Sequence, residues 1–329
     1  MGSFIEPSAG WAQRLGLREG IPRCGRLPIS FHGYRKLRLC VPNVPPCGNG
    51  GEGVGVGVGQ NQGVETTALR IATWNINSVT SRLEHLLAWL ERVEPDVVCL
   101  QELKCATDAF PAEALAAAGY ESAAHGDGRW NGVAIISRVG ISDVVRDLPN
   151  QPEFEGVVEP RAIGATCGGV RVWSLYVPNG REPSHEHFQY KLAWLEQLRV
   201  TAEAELASVG DLPLAYLGDY NVAPTDADVW DIALFAESTH VTPQERAALT
   251  ALEATGLVEV LPRPLKYDIA YTFWDYRQLA FPKNKGMRID LAYANPAFAS
   301  RVTDAYVDRE ARKGKGTSDH APVVVEING

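Results

Sequence analysis

The sequence predicts an α/β fold, and three observations carry that reading. Strand-like and helix-like segments interleave from Leu69 to the C-terminus. Some of the strand-like runs, DVVCLQE (96–102) above all, are apolar without alternation, as strands covered on both faces are. Glycine and proline punctuate the segments without long internal linkers.

The elements follow in order. LRIATWNI (69–76) reads as a strand. Leu83, Leu86, Leu87 and Leu90 then fall on one helical face, and Ser81 with Glu84 has the spacing of a capping box. DVVCLQE is the next strand. Pro111 and Gly119 bracket a short Ala-rich helix. NGVAIISR (131–138), AIGATC (162–167) and VRVWSLYV (170–177) read as strands. Phe188, Leu192, Leu195, Leu198, Ala202 and Leu206 mark an amphipathic helix. LPLAYLGDYN (212–221) is a strand with a polar end. Thr242-Pro243-Gln244-Glu245 is a capping box with proline at the first helical position, and Gly256 ends that helix. IDLAYA (289–294), VTDAYVD (302–308) and APVVVEI (321–327) complete the strands.

Residues 1–68 read as a separate object. GNGGEGVGVGVGQNQG (48–63) has the composition of a flexible linker, and five prolines between Pro22 and Pro46 break any period before it. The expectation is a disordered Gly/Pro-rich extension at 1–68 and one domain at 69–329. Its arginines leave open a transit peptide, and a translation start near the linker is the alternative; no secretory signal follows Met1. No apolar run suits a membrane span. Cys99 and Cys167 sit in apolar runs and read as reduced core residues, and no CxxC pair suggests a zinc site.

The net charge is -9, against the basic balance of many nucleic-acid proteins. Between Arg277 and Lys315, however, nine basic residues face four acidic ones. A local basic patch can coexist with an acidic metal site.

Polar residues gather at the strand ends: Asn75 and Asn77, Gln101 and Glu102, Tyr176 and Asn179, Asp219 and Asn221, Asp290, and Asp319-His320. Strand ends are where loops of layered α/β proteins assemble a site. There is no P-loop, no G-x-S-x-G and no HExxH, which argues against nucleotide hydrolysis through a P-loop, serine esterases and zinc hydrolases. Carboxylates with asparagines and one histidine suit a hard cation on oxygen ligands, magnesium first, with Glu102 the best ligand candidate. Attack of water on a phosphodiester would use such a set.

The motifs TWNINSV, LQELK, NGVAIISR, SLYVPNG, LGDYNVAPTD, TFWDYR, KGMRIDLAYA and SDHAPV resemble those of the exonuclease III family. These are abasic-site endonucleases of base-excision repair within the endonuclease/exonuclease/phosphatase superfamily. The resemblance runs in order from about Leu69 to the C-terminus. It implies a four-layer α/β sandwich of two mixed sheets flanked by helices. It also implies a magnesium-dependent nuclease, with manganese as an alternative ion, that cleaves duplex DNA 5' to abasic sites and degrades or trims 3' ends.

The resemblance further assigns roles. Glu102 would be the main metal ligand, with Asn75, Asp219, Asn221, Asp319 and His320 near the metal. Tyr176 and Asn179 would contact the scissile phosphate, and Asn77 and Arg181 would bind substrate. Asp219, favoured over His320 as the base, would activate the water, with Asn221 holding it or the phosphate, while Asp290 orients His320. Phe273, Trp274 and Met287 would receive the flipped abasic sugar, and Arg277, Lys283, Lys285 and Arg288 would meet DNA phosphates. EPRAIGA (159–165) departs from the family's acidic-Ala-Arg pattern at Pro160, which predicts a local loop change. The expected partner is duplex DNA with abasic sites or 3' ends, bound by a monomer in the cytoplasm, with the nucleoid if the source is bacterial. A superfamily phosphatase acting on inositol phosphates or phospholipids would share Glu102, Asp219, Asn221, Asp290 and His320 but not YVPNG, FWDYR and KNKGMR together. A non-enzymatic DNA-binding protein would have lost one of Glu102, Asp219 or His320, and all three are present.

Overall fold

The computed structural model describes residues 68–128 and 130–329. The expected extension at 1–68 lies, apart from Ala68, outside the described residues.

Among the described residues, twelve strands form two six-stranded mixed sheets. The first has the order β11 (Val302–Val307), β12 (Val323–Ile327), β1 (Leu69–Asn75), β2 (Val97–Gln101), β4 (Val133–Ser137) and β3 (Glu121–His125). The second runs β5 (Ser142–Arg146), β6 (Ala162–Cys167), β7 (Val170–Tyr176), β8 (Leu214–Asp219), β10 (Asp290–Ala294) and β9 (Val258–Glu259). Each sheet has one parallel pair, β1 with β2 and β7 with β8, and is otherwise antiparallel.

Period-2 alternation explains the layers. Ile71, Val97, Cys99, Val133 and Ile135 meet Ile163, Ala165, Cys167, Val172, Ala215 and Leu217 between the sheets. Their neighbours Ala72, Trp74, Val98, Leu100, Ala134 and Ile136 face outward, under helices α1 (Leu83–Val93) and α2 (Ala112–Ala117). On the second sheet Trp173, Leu175, Tyr216 and Tyr293 lie under α3 (Glu186–Val209) and α4 (Pro243–Glu253). A short α5 (Pro296–Ala299) follows β10. The result is the expected four-layer sandwich. Cys99 and Cys167 are buried and unpaired, as read.

Two helix starts separate local signals from tertiary override. At α4 the capping box forms as predicted: Thr242 Oγ1 accepts the Glu245 N–H, and Glu245 Oε2 accepts the Thr242 N–H at 3.0 Å. At α1 the predicted box does not form. Arg82 is the cap, with no side-chain capping bond, and the Ser81 hydroxyl instead accepts from Ser78 Oγ at 2.9 Å. The sequence reading does not include β3, β5, β9 and α5. The first two, ESAAH and SDVVR, lie at sheet edges and lack a long apolar run. Pro160 lies in the loop before β6, where its carbonyl accepts the Gly132 N–H at 3.1 Å.

Register brings the polar strand ends to one edge of the sandwich. Asn75 pairs with Gln101 across the parallel β1–β2 pair, and Tyr176 with Asp219 across β7–β8. β10 is antiparallel to β8 and begins opposite Asp219 with Asp290. β12 is antiparallel to β1, so the segment preceding it delivers His320 to the same edge.

Candidate active site

At each strand end the chain turns sharply. Asn77, Glu102 and Asn221 have φ of 48°, 57° and 51°, the left-handed region that non-glycine residues seldom occupy. Such conformations cost about 1–3 kcal/mol each and persist where the surroundings hold them. Hydrogen bonds hold these. Asn75 Oδ1 accepts the Asn77 N–H at 3.0 Å, Asp219 Oδ1 accepts the Asn221 N–H at 2.9 Å, and the Ser78 N–H donates to the Glu102 carbonyl at 2.7 Å.

Asp219 lies at the centre. Its Oδ2 accepts from Asn75 Nδ2 at 2.9 Å and is 3.8 Å from His320 Nε2. The other imidazole nitrogen, Nδ1, is 2.7 Å from Asp290 Oδ2. That gap of 3.8 Å is too long for a direct hydrogen bond and leaves Nε2 free to meet a substrate atom. Burial pulls the imidazole pKa down, but the Asp290 and Asp219 carboxylates outweigh it and push His320 up to about 10. Burial also pushes Asp219 up to about 7, aided by Asp290 and opposed by the His320 charge and the Asn75 amide. Phe273 covers the imidazole, with ring centroids 4.9 Å apart.

A second flank surrounds Glu102. Its Oε1 accepts from the Tyr176 hydroxyl at 2.8 Å, and its Oε2 is 3.7 Å from Lys104 Nζ. Burial raises the Glu102 carboxyl above its ordinary range, against the opposing pulls of Lys104 and Tyr176. Burial and the Glu102 charge hold Tyr176 well above the usual phenol range, so it stays a donor. Asn77 bridges outward: Nδ2 donates to Asp319 Oδ1 at 2.9 Å, and Oδ1 accepts from Lys104 Nζ at 2.7 Å.

The donor set fits a hard divalent cation. Among the described residues, Asp219, Asp290 and His320 bring ligand atoms within 4.8 Å of one another, but an imidazole kept protonated by Asp290 offers no lone pair to a cation, which points to the Glu102 flank instead. Asp290 Oδ1 is buried without a hydrogen-bond partner. Glu102 is a largely buried carboxylate with no ion pair closer than 3.7 Å, a position that oxygen-seeking cations favour.

The model of the Endonuclease/Exonuclease/phosphatase family matches residues 72–320. The chain belongs to this family. Exodeoxyribonuclease III of Haemophilus influenzae is 30% identical over 275 residues, spanning 79% of this chain and all of that protein. Among solved structures, the 3'-5' exonuclease NExo of Neisseria meningitidis superposes with a TM-score of 0.75 at 38% identity. An AP endonuclease from Archaeoglobus fulgidus gives 0.73 at 34%, and each of these two covers 79% of this chain and 100% of its own. The resemblance read from the eight motifs is therefore borne out.

The site differs in places from what the motifs imply. Ten of the expected residues come together: Asn75, Asn77, Glu102, Tyr176, Asn179, Asp219, Asn221, Asp290, Asp319 and His320. Asn179 joins through Nδ2, which donates to Asn221 Oδ1 at 3.2 Å. Arg181 is exposed, with its guanidinium beside His185 and Phe154. Phe273, Met287 and Lys285 line a cavity of about 340 Å³ together with Trp230, Leu234 and Phe235.

Trp274 does not line that cavity. It is fully buried, edge-on to Phe281 and under the Arg309 guanidinium, because the chain turns it into the core behind Phe273. Arg288 is likewise corrected. Its guanidinium is buried and paired with Asp228 at 2.6 Å and with Glu259, which leaves it no path to a DNA phosphate. Lys283 is exposed.

Three participants escape sequence reasoning. His240, at φ 83°, places Nε2 3.1 Å from Asn221 Oδ1 and 3.3 Å from Asn179 Nδ2. Lys104 lies two residues beyond Glu102, inside a motif whose glutamate draws the attention. Lys191 is fully buried in α3 and donates to the Asn179 carbonyl at 3.2 Å, the Asn221 carbonyl at 2.7 Å and Glu245. A lysine within the apolar face of that helix was its available signal.

Proposed function

We propose that this chain is a magnesium-dependent DNA repair nuclease that hydrolyses phosphodiesters in duplex DNA, 5' to abasic sites and at 3' ends, with residues 69–329 as its catalytic domain. The observation that carries the reading is the ordered carboxylate Asp219 facing an Asp290-paired imidazole across 3.8 Å. Asp219, oriented by Asn75 and the Asn221 N–H, takes a proton from the attacking water. His320, cationic because of Asp290, meets the charge that develops on the phosphoryl oxygen. The Asn221 and Asn179 amides and the Tyr176 hydroxyl stand beside the same centre to orient the phosphate. Water oxygen bonds to phosphorus, the bond to the 3' oxygen breaks, and that oxygen leaves as an alkoxide that takes a proton from solvent water to become the 3'-hydroxyl, while Asp219 later releases the proton it took to solvent. Glu102, with Asp319 and Asn75 nearby, would hold the magnesium ion, which when bound offsets phosphate charge and supports the leaving oxygen.

The cavity bounded by Phe273 and Met287 suits an unstacked sugar without its base, since Phe273, which lines it, also packs on the His320 ring, and since apolar side chains make up most of its wall. The enzyme acts as a monomer, in the cytoplasm with the chromosome. No helix among the described residues is long and apolar enough to cross a membrane. The test is an end-labelled duplex with one abasic site, incubated with magnesium and then with a chelator. Incision directly 5' to the site, dependent on the ion, is expected. An intact duplex under both conditions would overturn the proposal.

A further inference from the structure

The Asn221 side chain is held from both ends of its amide. Its Nδ2 donates to the Val177 carbonyl at 3.0 Å, so its oxygen faces the other way. There two donors converge on Oδ1, Asn179 Nδ2 at 3.2 Å and His240 Nε2 at 3.1 Å. An amide oxygen only accepts, so the imidazole carries a proton on Nε2. Nδ2 has two N–H groups and Val177 takes one. The other is left for a substrate oxygen beside Asp219, whose Oδ1 accepts the Asn221 backbone N–H at 2.9 Å.

The two donors to Oδ1 are not equivalent. When the Asn179 amide turns to a phosphate oxygen, its bond to Asn221 is given up, and His240 is the donor that stays. The His240 backbone is fixed without help from its ring. Its N–H donates to Glu245 Oε1 at 2.9 Å, and its carbonyl accepts the Ala223 N–H at 2.8 Å. Its φ is 83°, a conformation that strains a residue with a side chain and that glycine adopts freely. The fold alone therefore does not call for an imidazole here, whereas the Asn221 amide does.

We propose that His240 is a positioning residue: its Nε2–H holds the Asn221 amide so that an N–H, and not the carbonyl oxygen, meets the scissile phosphate while Asn179 is engaged with substrate. This rests on the nuclease reading above, and two separate readouts distinguish failure of one from failure of the other.

The first readout is single-turnover incision of a saturating duplex with one abasic site. His240→Gly should lower the rate by about tenfold, as the loss of one hydrogen bond implies. Gel-shift affinity should stay near that of the parent, and the urea midpoint should hold or rise because the strain is relieved. His240→Gln, whose amide nitrogen takes the place of Nε2, should recover most of the rate. His240→Asn, whose amide reaches only as far as Nδ1, should not. A Gly variant at the parent rate, or an Asn variant that recovers as well as Gln, would overturn the proposal. Rates that fall in step with the urea midpoint across all three variants would assign the ring to stability and also overturn it. The second readout needs no cleavage. In the full chain labelled with nitrogen-15 histidine, the His240 ring signals, assigned by their loss in His240→Gln, should show a proton on Nε2 at pH 7. A proton on Nδ1 alone would overturn the role whether or not the chain hydrolyses DNA. A proton on Nε2 in a chain that leaves the abasic duplex intact would uphold the hold on Asn221 and defeat the nuclease reading.

Discussion

Asp219 and His320 differ in what sets their charge, and that difference predicts a pH profile. The reaction as derived needs Asp219 ionised and His320 protonated. Burial raises Asp219 to about 7, so single-turnover cleavage should rise with pH through that region. Asp290 and Asp219 together keep His320 protonated up to about 10, so the rate should fall only as that value is passed. Asp290→Asn removes a charge that raises both groups, so both limbs should move to lower pH. A profile in which the alkaline limb stays fixed in that variant would contradict the pairing. The neighbouring aromatics make a second contrast. Trp274 is fully buried, so Trp274→Ala should cost about 3–5 kcal/mol of stability, read by urea denaturation. Phe273 lines the cavity and covers the imidazole, so Phe273→Ala should lower cleavage at an abasic site with a smaller stability loss. Adjacent positions in one motif have different duties because successive side chains of an extended segment point to opposite faces. The motif locates this pair, but which of the two faces the cavity depends on the bridges of Phe273 to Met287 and His320.

At the scale of elements, α3 and α4 hold the loops that carry Asn179 and Asn221. Lys191 and Glu245 have no exposed side-chain surface, and the lysine ties both loop carbonyls to the pair. Its burial pulls Lys191 downward in pKa while Glu245 opposes that pull. Removing one partner of such a pair strands the other charge in the core. Lys191→Met should therefore destabilise the fold by about 3–5 kcal/mol and also slow cleavage, checked by denaturation and by turnover well below the new midpoint. Normal stability in that variant would mean that the pair contributes nothing. These elements are legible where local signals agree with the packing. The α4 capping box and the strands of the two sheet centres can be read from sequence because their residues are apolar on both faces or capped by their own side chains. The edge strands β3 and β5 cannot, since one is small and polar and the other is exposed along its whole length. The α1 start misleads because Ser81 is bonded to Ser78.

For the whole molecule, charge must be read by place and not by total. The chain is net acidic, yet Lys283 is exposed beside the cavity segment and Lys285 lies 4.0 Å over the Trp230 ring at the cavity wall. Replacing both lysines by alanine should weaken duplex binding. It should flatten the log–log salt dependence by roughly two units, at about 0.9 for each phosphate no longer neutralised. An unchanged slope would place the DNA elsewhere. Arg288, part of the same basic run in the sequence, belongs to an internal ion pair, and spacing along the chain could not reveal partners at Asp228 and Glu259. Most of the strand-end site is legible because parallel and antiparallel register deliver motif residues to one edge. His240, Lys104 and Lys191 are not, because each acts through a three-dimensional neighbour and not through a motif. The central claim is that this edge hydrolyses DNA phosphodiesters with Asp219 as base. Its most direct test is Asp219→Asn on a duplex with one abasic site. Gel-shift affinity should stay near that of the parent chain, and incision should fall by at least about a thousandfold, as loss of roughly 4 kcal/mol of transition-state stabilisation implies. Incision by the variant at the parent rate, or none by the parent itself, would contradict the account.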